Sequence, residues 1–268
     1  MNKFVRAAAV ALAVLHATSA HAHRAWLLPS STVLSGTDLF VTVDAAISND
    51  LFGFDHHALR LNGLVVTAPD GSVIEPENAA TGKFRSVFDI PLKVQGTYRL
   101  AVTSNNLSAS YQLNGEKKFW RGPAEGLAKL PTAATDVVVT EQQRRIETFV
   151  TSGKPSEDAL KPAGQGLEMQ PITHPNDLFA GEEAQFKLLI DGKPAAGVQV
   201  EIVRGGLRYR SQPDEASVTT GSDGVFKFKW PEAGMYLLEA SVKDGATTIK
   251  EAKERRATYS ATLEVLPN

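Results

Sequence analysis

Histidine carries most of the metal-binding chemistry open to this 268-residue chain, because it has six histidines and no cysteine. Disulfides, thiolate metal sites, iron–sulfur clusters and cysteine nucleophiles are thereby excluded, and any chemistry must use oxygen and imidazole. His16 and His21 fall in a leader-like start. Lys3 and Arg6 precede the apolar run Ala7–Leu15, and Ala20-His21-Ala22 places small residues at a cleavage point after Ala22. Processing there would leave His23 as the first residue. Its α-amine and imidazole Nδ1 could then close a chelate ring on one ion. Reference pKa values of about 7.7–8.0 and about 6.5 make both groups easy to deprotonate.

Three further histidines survive processing. His56 and His57 lie in "FGFDHHALR", just ahead of a predicted strand. Neighbours on an extended strand point to opposite faces, so both reach one ion only if the segment is a loop or bulge. Asp55 is a candidate carboxylate ligand, or an acceptor that orients an imidazole. His174, in "PITHPNDLFAGE", precedes a proline and is expected to be extended, where it could close a site at a domain junction. Nitrogen donors without thiolate suit Ni(II), Co(II), Cu(II) or Zn(II). The structural alternatives are a surface His-His pair, a turn residue at His174 and a frayed terminus at His23.

Other constellations are weaker. The chain contains neither a Gly-x-Ser-x-Gly elbow nor a phosphate-binding glycine loop ending in Gly-Lys-Ser/Thr. Lys and Arg number 28 against 30 Asp and Glu, and removal of Lys3 and Arg6 leaves 26 against 30, a net charge of −4. No basic excess points to nucleic acid. The leader's apolar run is too short to span a bilayer, and no later stretch reaches about 18 apolar residues. At 43% hydrophobic and 22% charged residues, the chain has the composition of a packed globular protein.

The elements that must position the histidines read as all-β. Short apolar runs broken by Gly, Pro, Asn and Asp predict strands at 39–45, 59–67, 83–90, 97–104 and 136–140. A second set is predicted at 184–190, 198–203, 218–220, 225–230, 235–242 and 261–265, and long 3.6-residue periodicity is missing. The expected layout is a signal peptide at 1–22 and a β-sandwich domain at 23–140. A linker with a possible short helix follows at 141–166, and then a second sandwich at 167–268. Both sandwiches are expected to be immunoglobulin-like or transthyretin-like. Trp26 is expected to plug the first sandwich and so pin His23, the alternative being an exposed aromatic for a partner. Lys117–Arg121 reads as a solvated strand with one core aromatic or as a contact for an anionic or glycan partner. Lys250–Arg256 reads as a solvated charged loop or edge.

"DGKPAAGVQVEIV", "TTGSDGVFKFKW" and "EAGMYLLEASV" resemble carboxypeptidase-regulatory and collagen-adhesin B-type β domains, which are scaffolds and binding modules. "AHRAWLLPSSTVLSGTDLFVTV", the segment from "RRIETFVTSGKPSEDALKP" to "LEMQPITHPNDLFAGE", and "DGKPAAGVQVEIVRGG" together resemble the exported domain-of-unknown-function family 4198 over nearly the whole processed chain. Members are described as periplasmic components of nickel or cobalt uptake. The resemblance implies an exported, periplasmic β-rich protein that binds a transition metal, Ni or Co, and passes it to a membrane transporter, and the chain is expected not to be an enzyme. It matches His23 and His174 to family histidines. The alternatives are an adhesion or scaffold module, and a copper carrier or oxidase using a histidine brace.

Overall fold

The structure, a computed structural model, describes residues 23–209 and 215–268, so the leader expected at 1–22 lies outside the described residues. The fold is all-β, with 56% strand and 5% helix. The first half supplies β1 (Arg24–Pro29), β2 (Val33–Leu34), β3 (Phe40–Ser48), β4 (His57–Ala58), β5 (Leu64–Thr67), β6 (Val73–Ile74), β7 (Glu77–Thr81), β8 (Ser86–Pro91), β9 (Gly96–Leu113) and β10 (Glu116–Gly122). A long strand, β11 (Thr135–Ser152), follows. The second half supplies β12 (Leu167–Pro171), β13 (Glu183–Ile190), β14 (Lys193–Pro194), β15 (Gln199–Arg204), β16 (Glu215–Thr219), β17 (Val225–Lys229), β18 (Gly234–Asp244) and β19 (Glu254–Val265).

Three sheets form. One runs β1-β3-β8-β7 with β4 beside β3, and another is β12-β13-β14 with β17 beside β13. Between them a central sheet runs β16-β15-β18-β19-β11-β9-β5-β6 through both halves. Alternation decides which face each residue covers. On β11, Ile146 and Val150 enter a core with Leu27, Val43, Phe88 and Leu100. Phe149 points the other way, into a core with Phe186, Trp230, Tyr236 and Tyr259. The two sandwiches therefore share a sheet and lie on its opposite faces.

Residues 141–150, read as a short helix or irregular bridge, are instead the middle of β11. Ladders with β9 on one side (Ile146↔Val102) and β19 on the other (Ile146↔Ser260) override the helix preference of Glu, Gln and Arg. The charged run at Lys250–Arg256 is corrected in the same way at its end. Glu254 begins β19, and Arg255 is buried at 1% exposure, with ion pairs to Asp191 at 2.7 Å and Asp244 at 2.6 Å. At Lys117–Arg121 the strand expectation holds as β10. Its aromatics divide, with Phe119 exposed and Trp120 packed against the Leu107 cluster.

Trp26 is fully buried, and its indole N–H donates to Ser48 Oγ at 2.8 Å. It plugs the seam between the halves rather than the first core, packing with Ala46 and Leu51 against Val203 and Leu237 of β15 and β18. Phe52 closes this cluster from the 49–56 loop, and its ring lies against Gly205, where an added Cβ would stand 2.6 Å from the ring. Gly205→Ala is expected to displace Phe52 and cost about 1–3 kcal/mol, read from a chemical melt.

Candidate functional site

Pairing to β3 assembles the histidines. Arg24 of β1 lies opposite Ser48, and His57 of β4 lies opposite Ile47 on the other side of β3. His23 and His56 are each one residue further toward the same end of the sheet. The three rings gather there. His23 stacks on His56 with centroids 3.8 Å apart and planes 12° from parallel, and His56 meets His57 edge-on at 4.4 Å. The condition for both members of the pair to share a site is met, because His56 sits in a bend before β4 begins. All three residues are exposed.

Asp55 supports this cluster through the backbone. One carboxylate oxygen accepts from the Asn49 amide at 2.9 Å and the other from the Asp50 amide at 3.1 Å. Although desolvation pushes its pKa up, these hydrogen bonds hold it below the usual carboxylate range. The clasp closes the loop that delivers Phe52 and Phe54 to the Trp26 ring, at 5.5 and 5.7 Å, and His56 to the His23 ring.

The structure does not bring His174 to the other histidines. Its Nδ1 accepts from the Asn176 amide at 3.2 Å, so the ring carries its proton on Nε2 and donates to Thr97 Oγ1 at 2.9 Å. Thr97 Oγ1 lies 2.9 Å from Thr151 Oγ1, which donates to Asn176 Oδ1 at 2.9 Å, and Asn176 Nδ2 donates to the Phe149 carbonyl. Both ring nitrogens are thus engaged in locking the 173–178 segment onto β9 and β11. The distance is large as well. The Thr151 amide donates to the Thr32 carbonyl at 2.7 Å, past the Pro29 end of β1, whereas the three rings gather beyond its Arg24 end.

Among the described residues, no group of three or more His, Asp or Glu is arranged as a ready-made ligand set. The ring spacing explains this. With metal–nitrogen bonds of roughly 2.0–2.1 Å, cis imidazoles on one ion have centroids roughly 5 Å apart. The stacked rings must therefore open by about an ångström, a side-chain rotation that exposed residues can make. His57 is prepared for this in charge. Desolvation, then the neighbouring His56 and His23, then Arg144 and Arg60, hold its pKa below the ordinary histidine value and favour the neutral, ligating form. The importance of Arg144 and Arg60 was not read from the sequence. The signal lay in the alternation of Ile146, Thr148 and Val150, which traced backward puts Arg144 on the face that β1 crosses.

Fold and site together define a two-sandwich protein with a solvent-facing imidazole cluster at one sheet end. It belongs to the family described as Domain of unknown function (DUF4198), whose model matches residues 20–244. No curated protein matches the chain. Among solved structures, the D0-D1 domain of Intimin is 11% identical, covering 90% of this chain and 97% of that one at a TM-score of 0.23. The human OSCAR ligand-binding domain is 13% identical, covering 91% and 100% at a TM-score of 0.21. At these TM-scores neither likeness carries an argument about function. No helix among the described residues is long and apolar enough to cross a membrane.

Proposed function

We propose that this is an exported, periplasmic protein that captures a divalent transition-metal ion, Ni(II) or Co(II), and delivers it to an uptake system. The observation that carries this reading is the convergence of His23, His56 and His57 from two chain segments onto one sheet end, with ring centroids 3.8 and 4.4 Å apart. The donor set fits a borderline ion, being nitrogen-only and held by a rigid strand on one side. Processing after Ala22 adds the α-amine of His23 as a further donor. Exposure of all three imidazoles suits a carrier, because a receiving protein can reach the ion without unfolding the donor. Asp55 and His174 serve the scaffold in this reading, the first by shaping the 49–56 loop and the second by fixing the junction of the two halves.

Calorimetric titration of the processed protein with Ni(II), Co(II), Cu(II) and Zn(II) tests it, alongside a variant with one alanine placed before His23. Tight one-to-one binding, weakened by about tenfold or more in the extended variant, is the expected result. Heats no greater than dilution for all four ions would reject metal carriage and leave the chain as a scaffold. Preference for Cu(II) beyond the usual affinity order would instead favour a copper carrier.

A further inference from the structure

Beyond Val102 and Ile146, the last residues of β9 and β11 inside the first core on that side, the two strands run on together and β10 joins them at the far end. The two faces of this arm differ. On one, Leu107, Ala109, Val139 and Trp120 are packed with Leu127, Ile249 and Ala252. On the other, Phe119 is 74% exposed and Val138 40%, so nothing among the described residues is layered over them.

Strand register says what the bare face displays, because residues paired across strands share a face. Lys117, Phe119 and Arg121 of β10 lie opposite Gln112, Ser110 and Ser108 of β9. Ser110 and Ser108 in turn lie opposite Val138 and Thr140 of β11, and Gln142 of β11 lies opposite Arg256 of β19. Arg144, opposite Ser104, belongs to the same face. The face runs about 27 Å along β9 from Ser104 to Gln112, and about 14 Å across from β10 to β19.

Its free charges are of one sign. Lys117, Arg121, Arg144 and Arg256 have no carboxylate partner among the described residues. The nearest carboxylates by register, Glu254 and Glu239, are already held by Lys243 at 2.8 Å and Arg24 at 3.0 Å, and Asp136 falls in a bulge of β11. In a chain of net charge −2 this is a local segregation of cations. Lysines on β10 guard an edge strand, but a bare phenyl ring does not, and Arg256 belongs to β19, which has a strand on each side.

The surroundings select the shape of a partner. The sheet of β1, β3 and β8 is stacked on this same face over Ile146, Val150 and Leu100, and stacked sheets lie about 10 Å apart. The bare part is therefore a ledge at the foot of a wall. A planar membrane meets the outer end, at Lys117 and Phe119, and is held off Arg144 and Arg256, whereas a linear polymer lies along the whole ledge. Between the cations stand hydroxyls and amides, which match sugar hydroxyls, and the guanidinium fork matches a carboxylate.

We propose that this ledge binds a linear acidic polysaccharide bearing a carboxylate on each sugar. Arg121 and Arg256 receive carboxylates, Ser108, Thr140 and Gln142 meet hydroxyls between them, and a sugar ring lies on Phe119, beside which Lys117 Nζ stands 5.3 Å from the ring centroid. The ledge is separate from the histidine cluster, and the proposal stands or falls without the metal-carrier reading.

The test titrates the processed protein with oligogalacturonate and with neutral dextran, in EDTA so that no metal ion bridges polymer and protein. Wild type is expected to bind the first and not the second, with affinity falling by about tenfold or more as salt is raised. Phe119→Ala, Arg121→Gln and Arg256→Gln should each weaken binding by about fivefold or more, with thermal melts unchanged because these side chains are exposed. Lys118→Gln removes a charge from the opposite face of the same strand, where it is paired with Glu116, and should stay within about twofold of wild type. The proposal is overturned if wild type ignores oligogalacturonate, if dextran binds equally well, or if Lys118→Gln loses as much as Arg121→Gln, which is attraction by net charge alone. Full affinity in Arg256→Gln, together with Phe119-dependent binding to phosphatidylglycerol vesicles, would overturn it in favour of a membrane contact at the tip. Nickel titrations of the same variants should match wild type, so the two activities are read separately.

Discussion

Replacing His56 and His57 together by alanine is expected to weaken nickel binding by about 100-fold, or ~3 kcal/mol, with little change in stability. The rings are exposed and fill no core, so their loss removes donors and almost nothing else. His174→Ala should do the reverse. It leaves affinity within about twofold, because its nitrogens face Thr97 and Asn176, and it lowers stability by about 1–3 kcal/mol, because those groups lose their partner inside the fold. The pH dependence separates them further. Burial, opposed by weaker hydrogen-bond and carboxylate effects, pushes the His174 imidazole below its ordinary 6.5, so the unfolded chain takes up the proton first as pH falls. Stability is thus full above about 6.5 and declines below it until the folded ring protonates. His57 contributes with the same sign but more weakly, being exposed. Urea melts at about pH 7.5 and 5.5 should show a drop in the wild type and a smaller one in His174→Ala. An equal drop in both would contradict the lock.

Glu141→Gln is expected to give the largest loss of stability. The Glu141 side chain is inaccessible to solvent on β11 and gathers five donors. Oε1 accepts from Asn105 Nδ2, Gln143 Nε2 and Thr248 Oγ1 at 2.8, 2.7 and 2.6 Å, and Oε2 accepts from the Thr248 and Ile249 amides at 2.6 and 3.2 Å. Desolvation raises its pKa, yet these bonds outweigh it and bring the value to about 2, from 4.5. The carboxylate therefore contributes stability that is present above about pH 4.5 and lost as pH falls toward 2. Glutamine keeps the shape but turns an amide nitrogen toward donors. The cost is about 2–3 kcal/mol, or roughly 5–10 °C in melting temperature. The 245–253 segment, which this carboxylate anchors to β11 and β9, should gain hydrogen exchange first.

Much of the strand pattern was legible, because runs such as Val41–Ala45 and Met235–Val242 carry their apolar residues between clear turn signals. Turn chemistry was legible too. Asp191-Gly192 joins β13 to β14 with both residues at positive φ, the geometry that a two-residue hairpin loop requires. What misled was charge. Glu141, Arg145, Glu147 and Arg255 look like solvent-facing residues in isolation, whereas the fold pairs them. Arg145 reaches Glu147 and Glu168 at 2.9 and 3.2 Å, and Tyr259 donates to Glu147 at 2.9 Å. No local pattern encodes that Tyr259 will stand beside Glu147, 112 residues away. The candidate site was half legible for the same reason. Residue type singled out His23, His56, His57 and His174, but only the register of β1 and β4 on β3 selects the three that meet.

The sharing of β11 bears on how the chain comes to be made. Its parallel partner β19 begins 114 residues after Thr140, at Glu254. A nascent polypeptide emerging amino end first therefore carries an unzipped ladder, with bare amides and carbonyls along β11, until β19 has been released. Truncation after the first sandwich would leave that ladder permanently open to strands of other molecules, so the amino-terminal half produced alone should form aggregates rather than a soluble fragment.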